Sequence, residues 1–114
     1  VSKFFVLIAF EPNAWNDASA EQRAAWHQDH VDFHRALGDR ILSGEALADA
    51  STARTVRLQD GEPRVTAGPF AETTEMIGGY YLLEAVSQQQ VLGWCEMLPS
   101  CYSLEVRPVV EVEV

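Results

Sequence analysis

Residues 54–83, RTVRLQDGEPRVTAGPFAETTEMIGGYYLL, decide the fold. Asp60-Gly61 stands between two strand-like runs, 54–59 and 63–67. An Asp-Gly pair in that setting marks a two-residue hairpin, whose turn needs positive φ at both central positions. Gly68-Pro69 closes the hairpin. A further strand is expected over 79–86, with aromatic and aliphatic side chains on both alternating faces, so both faces must be covered.

Working outward, residues 4–10 (FFVLIAF) alternate Phe5, Leu7 and Ala9 with Phe4, Val6, Ile8 and Phe10, and this strand too is apolar on both sides. Ser19-Ala-Glu-Gln22 has the form of a capping box and predicts a helix over 20–37, stopped by Gly38. Residues 41–47 read as the next strand. Ser87-Gln-Gln-Gln90 repeats the capping-box form and predicts a helix to Leu98, stopped by Pro99. A last strand is expected over 102–113, with one wet face at its alternating Val-Glu end. With the hairpin set aside as an insertion, the order is β-α-β-β-α-β, an α+β ferredoxin-like sandwich. Two helices cover one face of such a sheet. The two-sided apolar strands therefore call for a second cover, and a homodimer through the sheet face is the simplest.

At 114 residues the chain is expected to be one domain, 1–114. Its 17 acidic against 8 basic residues argue against a nucleic-acid partner, which requires clustered Lys and Arg. The longest apolar run, 4–10, is far short of the ~20 residues of a bilayer helix, so no membrane partner is expected. Glu11-Pro12 directly behind it does not suit a signal peptide. The 2 cysteines are too few for a disulfide framework, which points to reduced thiols and a cytoplasmic location. Cys95 reads as a small core residue on the buried side of its helix.

Gly68-Pro69-Phe70-Ala71-Glu72-Thr73, then Glu75 and Gly78-Gly79-Tyr80-Tyr81, resemble the signature of the DGPF branch of the YCII-related family. The resemblance continues in chain order through the His-bearing helix, Ser43-Gly44-Glu45-Ala46-Leu47 and Glu105-Val106-Arg107-Pro108-Val109. It implies the dimeric α/β-barrel architecture. Two positions depart from the pattern: Ala67 stands where the motif begins with Asp, and Thr74 where a Lys is frequent.

Trp26, His30, Phe33 and Leu37 fall within roughly 40° of one another on a helical wheel, so His30 lies in the buried stripe, with His27 and His34 at its edge. A histidine there is either a core residue bonded to a carbonyl or a general acid/base at the floor of a helix–sheet cavity. The family resemblance implies the second, with a carboxylate partner. Glu45 in the second strand is the first choice, since a carboxylate facing the ring would fix its tautomer. Asp39 is the alternative, and Glu72 and Glu75 also match family positions. Substrate contacts are expected from Trp26, His34, Arg54, Glu72 and Tyr81, with Arg54 or Arg57 near an anionic group and Trp15 and Tyr80 as further aromatic candidates. His27, His30 and His34 fan over about 80°, too widely for a metal site. No cofactor and no metal are called for. Gly78-Gly79 leads into a strand, which rules out a phosphate cradle, and no nucleophile elbow is present.

Two functions follow. One is a small cofactor-independent enzyme of lyase, isomerase or dehydrohalogenase type, acting through His30 on a cyclic or aromatic small-molecule ligand. The other, which the resemblance also implies, is a non-catalytic ligand-binding or sigma-factor-associated regulatory module. A cofactor-free monooxygenase is a weaker third, on fold analogy alone.

Overall fold

The computed structural model describes residues 1–70 and 73–114. Four strands, β1 (Ser2–Phe10), β2 (Ile41–Ala46), β5 (Met76–Ala85) and β6 (Ser103–Pro108), form an antiparallel sheet in the order β2-β5-β1-β6. Between them lie α2 (Ala20–Leu37) after β1 and α3 (Gln88–Cys95) after β5. This is the ferredoxin-like arrangement, with β1 and β5 in the centre because they are the most apolar strands.

Sequence chemistry explains the boundaries. The Ser19 side chain accepts from the Gln22 N–H at 3.0 Å and caps α2, and Ser87 accepts from the Gln90 N–H at 3.2 Å and caps α3. Gly38, at φ 54°, ends α2 in a conformation that suits glycine. The hairpin forms as its own two-stranded sheet, β3 (Arg54–Gln59) with β4 (Glu62–Ala67). Asp60 and Gly61 have φ of 53° and 78°, the doubly positive turn that an Asp-Gly pair favours.

The core lies on one side of the sheet. Phe4, Val6 and Ile8 of β1 and Tyr81, Leu83 and Ala85 of β5 are buried beneath Phe33 and Leu37 of α2 and Val91 of α3. Their alternating neighbours Phe5, Leu7, Tyr80 and Leu82 are only half-buried on the opposite face. Phe5 and Tyr80 stack there at 5.1 Å, and Tyr80 shares a hydrogen bond with Ser43.

Two expectations are corrected, and one element is added. β6 ends at Pro108, not at 113. Its pairing with β1 runs from Ala9↔Ser103 to Phe4↔Pro108, and only the Val109 N–H reaches further, to the Lys3 carbonyl at 2.9 Å. Among the described residues the alternating Val-Glu tail pairs with no strand beyond that bond, and Val110 and Val112 are exposed. α3 ends at Cys95, not Leu98. The Met97 and Leu98 N–H groups turn back to the Trp94 and Cys95 carbonyls, three residues behind, as Pro99 approaches. A short helix absent from the sequence reading, α1 (Pro12–Asn16), starts with Pro at its first turn. It is tied to α2 by Arg23, which donates to the Trp15 and Asn16 carbonyls at 3.0 and 2.9 Å. Among the described residues, no helix is long and apolar enough to cross a membrane.

Candidate functional site

A cleft of about 300 Å³ opens between α2 and the sheet near the β1–β5 irregularity. His30 projects into it from the middle of α2, one turn before Phe33, which is completely buried and fixes the helix on the sheet. The imidazole is held from both sides. Its Nδ1 lies 2.7 Å from the Tyr81 hydroxyl, and its Nε2 lies 2.9 Å from the Tyr102 hydroxyl. The Tyr81 hydroxyl also lies 3.1 Å from Nε2 of His34, one turn along α2. His30, Tyr81, Tyr102 and His34 thus form one connected string of hydrogen bonds.

Local sequence accounts for each position. Tyr81 stands on the helix side of β5 because β5 alternates, and its ring lies against Gly44 of the paired β2. A Cβ at position 44 would come within 2.5 Å of that ring, so glycine is required for the tyrosine to lie flat over the strand. Tyr102 enters β6 from a turn in which its N–H bonds to the Pro99 carbonyl at 3.1 Å, and its ring stacks on Phe10 at 5.5 Å.

The electrostatics favour a neutral imidazole. Burial lowers the His30 pKa from its ordinary value, and the neighbouring His34 and His27 lower it further, with only a minor opposing effect from Asp29. Burial raises both tyrosines, to about 12 each; Tyr102 adds to the effect at Tyr81, and Cys101 and Asp29 add to it at Tyr102. A neutral imidazole carries one N–H and one lone pair. One tyrosine therefore donates to the ring, the other accepts from it, and both stay protonated at neutral pH. The arrangement can take up a proton at His30 and offer a hydroxyl to a developing negative charge beside it.

Of the residues expected in the site, His30, His34 and Tyr81 come together. Glu45 lines the cleft, yet its side chain is not the partner of the ring. The register pairs Gly44 with Tyr81 and Glu45 with Tyr80, so alternation turns Glu45 toward the opposite face of the sheet. Among the described residues, both ring nitrogens of His30 are engaged by tyrosine hydroxyls. Trp26 is buried away from the cleft and stacks on Trp15 at 5.8 Å. Arg54 donates to the Thr52 and Ala53 carbonyls, and Arg57 to the Phe70 carbonyl at 3.2 Å. Neither guanidinium reaches the cleft. Glu72 lies outside the described residues. Tyr102 is the site residue that sequence reasoning missed. Its only sequence signal was an aromatic hydroxyl at the start of the last strand, and its meaning depends on the β1–β6 pairing.

Fold and site together define an α+β, ferredoxin-like protein with a histidine–tyrosine cleft between its first long helix and its sheet. Residues 3–113 match the YCII-related domain, and the chain belongs to that family. It is 40% identical over 67 residues to an uncharacterized protein of Rhizobium meliloti (strain 1021), a match covering 55% of this chain and 54% of that one. The chain thus spans about half the length of that curated relative. Among solved structures it is similar to the 5-chloro-2-hydroxyhydroquinone dehydrochlorinase of Burkholderia phenoliruptrix AC1100, in complex with 2,5-dihydroxybenzoquinone. That similarity has a TM-score of 0.49 at 17% identity and covers 90% of each chain. A likeness at that level assigns no chemistry to this chain.

Proposed function

We propose that the protein is a small cofactor-independent enzyme in which His30 moves a proton on a compact cyclic or aromatic substrate, in a reaction of lyase, isomerase or dehydrohalogenase type. The observation that supports this is the imidazole held between the Tyr81 and Tyr102 hydroxyls at the floor of an open cleft. The tyrosine hydroxyl that donates to the ring turns to the substrate oxygen, and the lone pair it frees on the neutral imidazole accepts a proton from an acidic C–H or O–H at neutral pH. The negative charge left on a substrate oxygen is then met by a hydroxyl that keeps its own proton, because both tyrosines titrate near 12. The same imidazolium returns the proton to a carbon or a leaving group. His34, joined to Tyr81, gives the string an end at the protein surface. In this reading a second copy of the chain closes the half-buried sheet face around Phe5, Tyr80 and Leu82, and the working form is a homodimer.

The test is proton exchange in deuterated water, followed by proton NMR, on a panel of cyclic enols and 1,3-diketones. The protein should speed exchange over buffer for at least one member, and His30→Gln should lower that acceleration by about a hundredfold or more. Equal exchange in both proteins would remove His30 from the chemistry. A second reading, a ligand-binding module without turnover, is favoured by two features: no carboxylate bonds to His30 among the described residues, and Ala67 replaces the Asp of the family motif. Saturable binding by a panel member with no exchange above buffer would select that reading.

A further inference from the structure

The His30 cleft has a neighbouring cavity at its Tyr102 end. A second chamber, of about 480 Å³, lies under α1 and shares Ala46, Gly78 and Tyr102 with the cleft as walls. Its other walls differ in character. Phe10, Trp15, Leu47, Met76 and Ile77 make it mostly apolar, Asn16 and Asp49 are its polar side chains, and no histidine lines it. Trp15, Leu47 and Ile77 are 41%, 52% and 47% exposed, so large apolar side chains gather around the chamber without being used in the core. A cluster of that kind is the mark of a binding surface more than of packing.

The junction between the two spaces is also built. A Cβ at Gly78 would come within 2.3 Å of the Phe10 ring. Phe10 in turn stacks on Tyr102, whose hydroxyl bonds to His30. A side chain at position 78 would displace Phe10, and with it Tyr102, a wall that the two spaces share. The far wall is fixed as well, since Arg23 holds the Trp15 and Asn16 carbonyls and lies over the Trp15 ring at 5.5 Å.

We propose that the ligand of this site is bipartite: an oxygen-bearing ring at His30, Tyr81 and Tyr102, continued by an apolar arm that fills the chamber under α1. The polar end is a phenol- or enol-type hydroxyl, a small group that can both donate to and accept from the imidazole–hydroxyl string. The arm is an alkyl or aryl substituent. This inference rests on the proposed reading of His30 as the polar end of a small-molecule site.

The experiment is a calorimetric titration with phenol, 4-ethylphenol, 4-propylphenol and 4-pentylphenol on the whole chain. Affinity should rise by about fourfold per added methylene, since each is withdrawn from water. Ile77→Asp should flatten that series. Leu47→Asn, in a loop at the same wall, should lower the slope without touching a strand, and so covers the case in which the β5 variant folds poorly. His30→Gln should weaken every member by the same factor and keep the slope. A flat series in the unsubstituted protein overturns the bipartite ligand while leaving the His30 site standing. Failure of phenol to bind, or indifference of the whole series to His30→Gln, removes the His30 reading itself and the bipartite ligand with it. A change of oligomeric state in Ile77→Asp with the slope intact would assign the chamber to a second copy, and also overturns the proposal.

Discussion

The two faces of the same sheet differ sharply. Beneath α2 and α3, Val6, Phe33, Leu83 and Val91 have no exposure at all, and every buried side-chain polar atom among the described residues has a partner. On the other face Phe5, Leu7, Tyr80 and Leu82 are half-buried, and on the hairpin Val56, Leu58 and Val65 are 62%, 75% and 63% exposed. The same kind of apolar alternation produced both. What separates them is the cover that two helices can supply. Stability belongs to the covered face, and the site sits at its margin, where α2 still packs through Phe33 but the sheet has begun to open.

The largest test of that contrast is Phe33→Ala. It should cost about 3–5 kcal/mol in chemical denaturation, because the ring is fully buried and its neighbours cannot close over the gap. A loss below ~1 kcal/mol would mean that the covered face is not the core.

Tyr81 and Tyr80 sharpen the comparison, being neighbours that face opposite ways. Tyr81→Phe removes the hydroxyl shared by His30 and His34. It should lower proton-exchange activity by about tenfold or more, as loss of a hydrogen-bond donor at a reacting oxygen does. Tyr80→Phe removes only a bond to Ser43 and should leave activity within about twofold. On the proposed dimer, Leu82→Asp should shift the mass measured by light scattering toward the monomer, whereas Leu58→Ala on the hairpin should change folding stability by no more than about 0.5 kcal/mol.

The site also predicts a pH dependence, and its sign can be worked out. Burial, then His34 and His27, lower the His30 pKa in the folded chain. Between that lowered value and the ordinary one near 6.5, the unfolded chain binds a proton that the folded chain does not. The contribution of His30 to stability is therefore fully present above about pH 6.5 and declines as the pH falls through that value toward the folded pKa. The melting temperature of the wild-type chain should fall more steeply on the acid side than that of His30→Gln. Parallel curves would show that the ring is not desolvated in the fold.

Much of the fold could be read from the chain because its signals are local. The capping boxes at Ser19 and Ser87, the Asp60-Gly61 turn and the two-sided strands each report a short-range preference that the tertiary structure kept. α1 escaped because five residues leave no periodicity to detect. The overlong last strand is the reverse case, in which a sound alternation at 109–114 met no partner strand among the described residues.

The site was only half legible. Helical spacing puts His30 in the stripe of Trp26 and Phe33, and the structure has it there. Its partners depend on pairing register. A shift of one residue decides whether Gly44 or Glu45 faces the ring, and nothing in the local sequence fixes that choice. Tyr102 is farther still from His30 along the chain, and the two meet only because β6 lies beside β1. Residues that act across a sheet are the ones a linear reading places last.

Nitrogen-15 NMR of the histidine rings, recorded across a pH titration of the intact chain, tests the central claim most directly. His30 should hold a single tautomer, one nitrogen donating and one accepting, with a midpoint below 6.5, and Tyr102→Phe should disturb that tautomer. A His30 ring that averages its tautomers and titrates at or above 6.5, indifferent to Tyr102, would contradict the account.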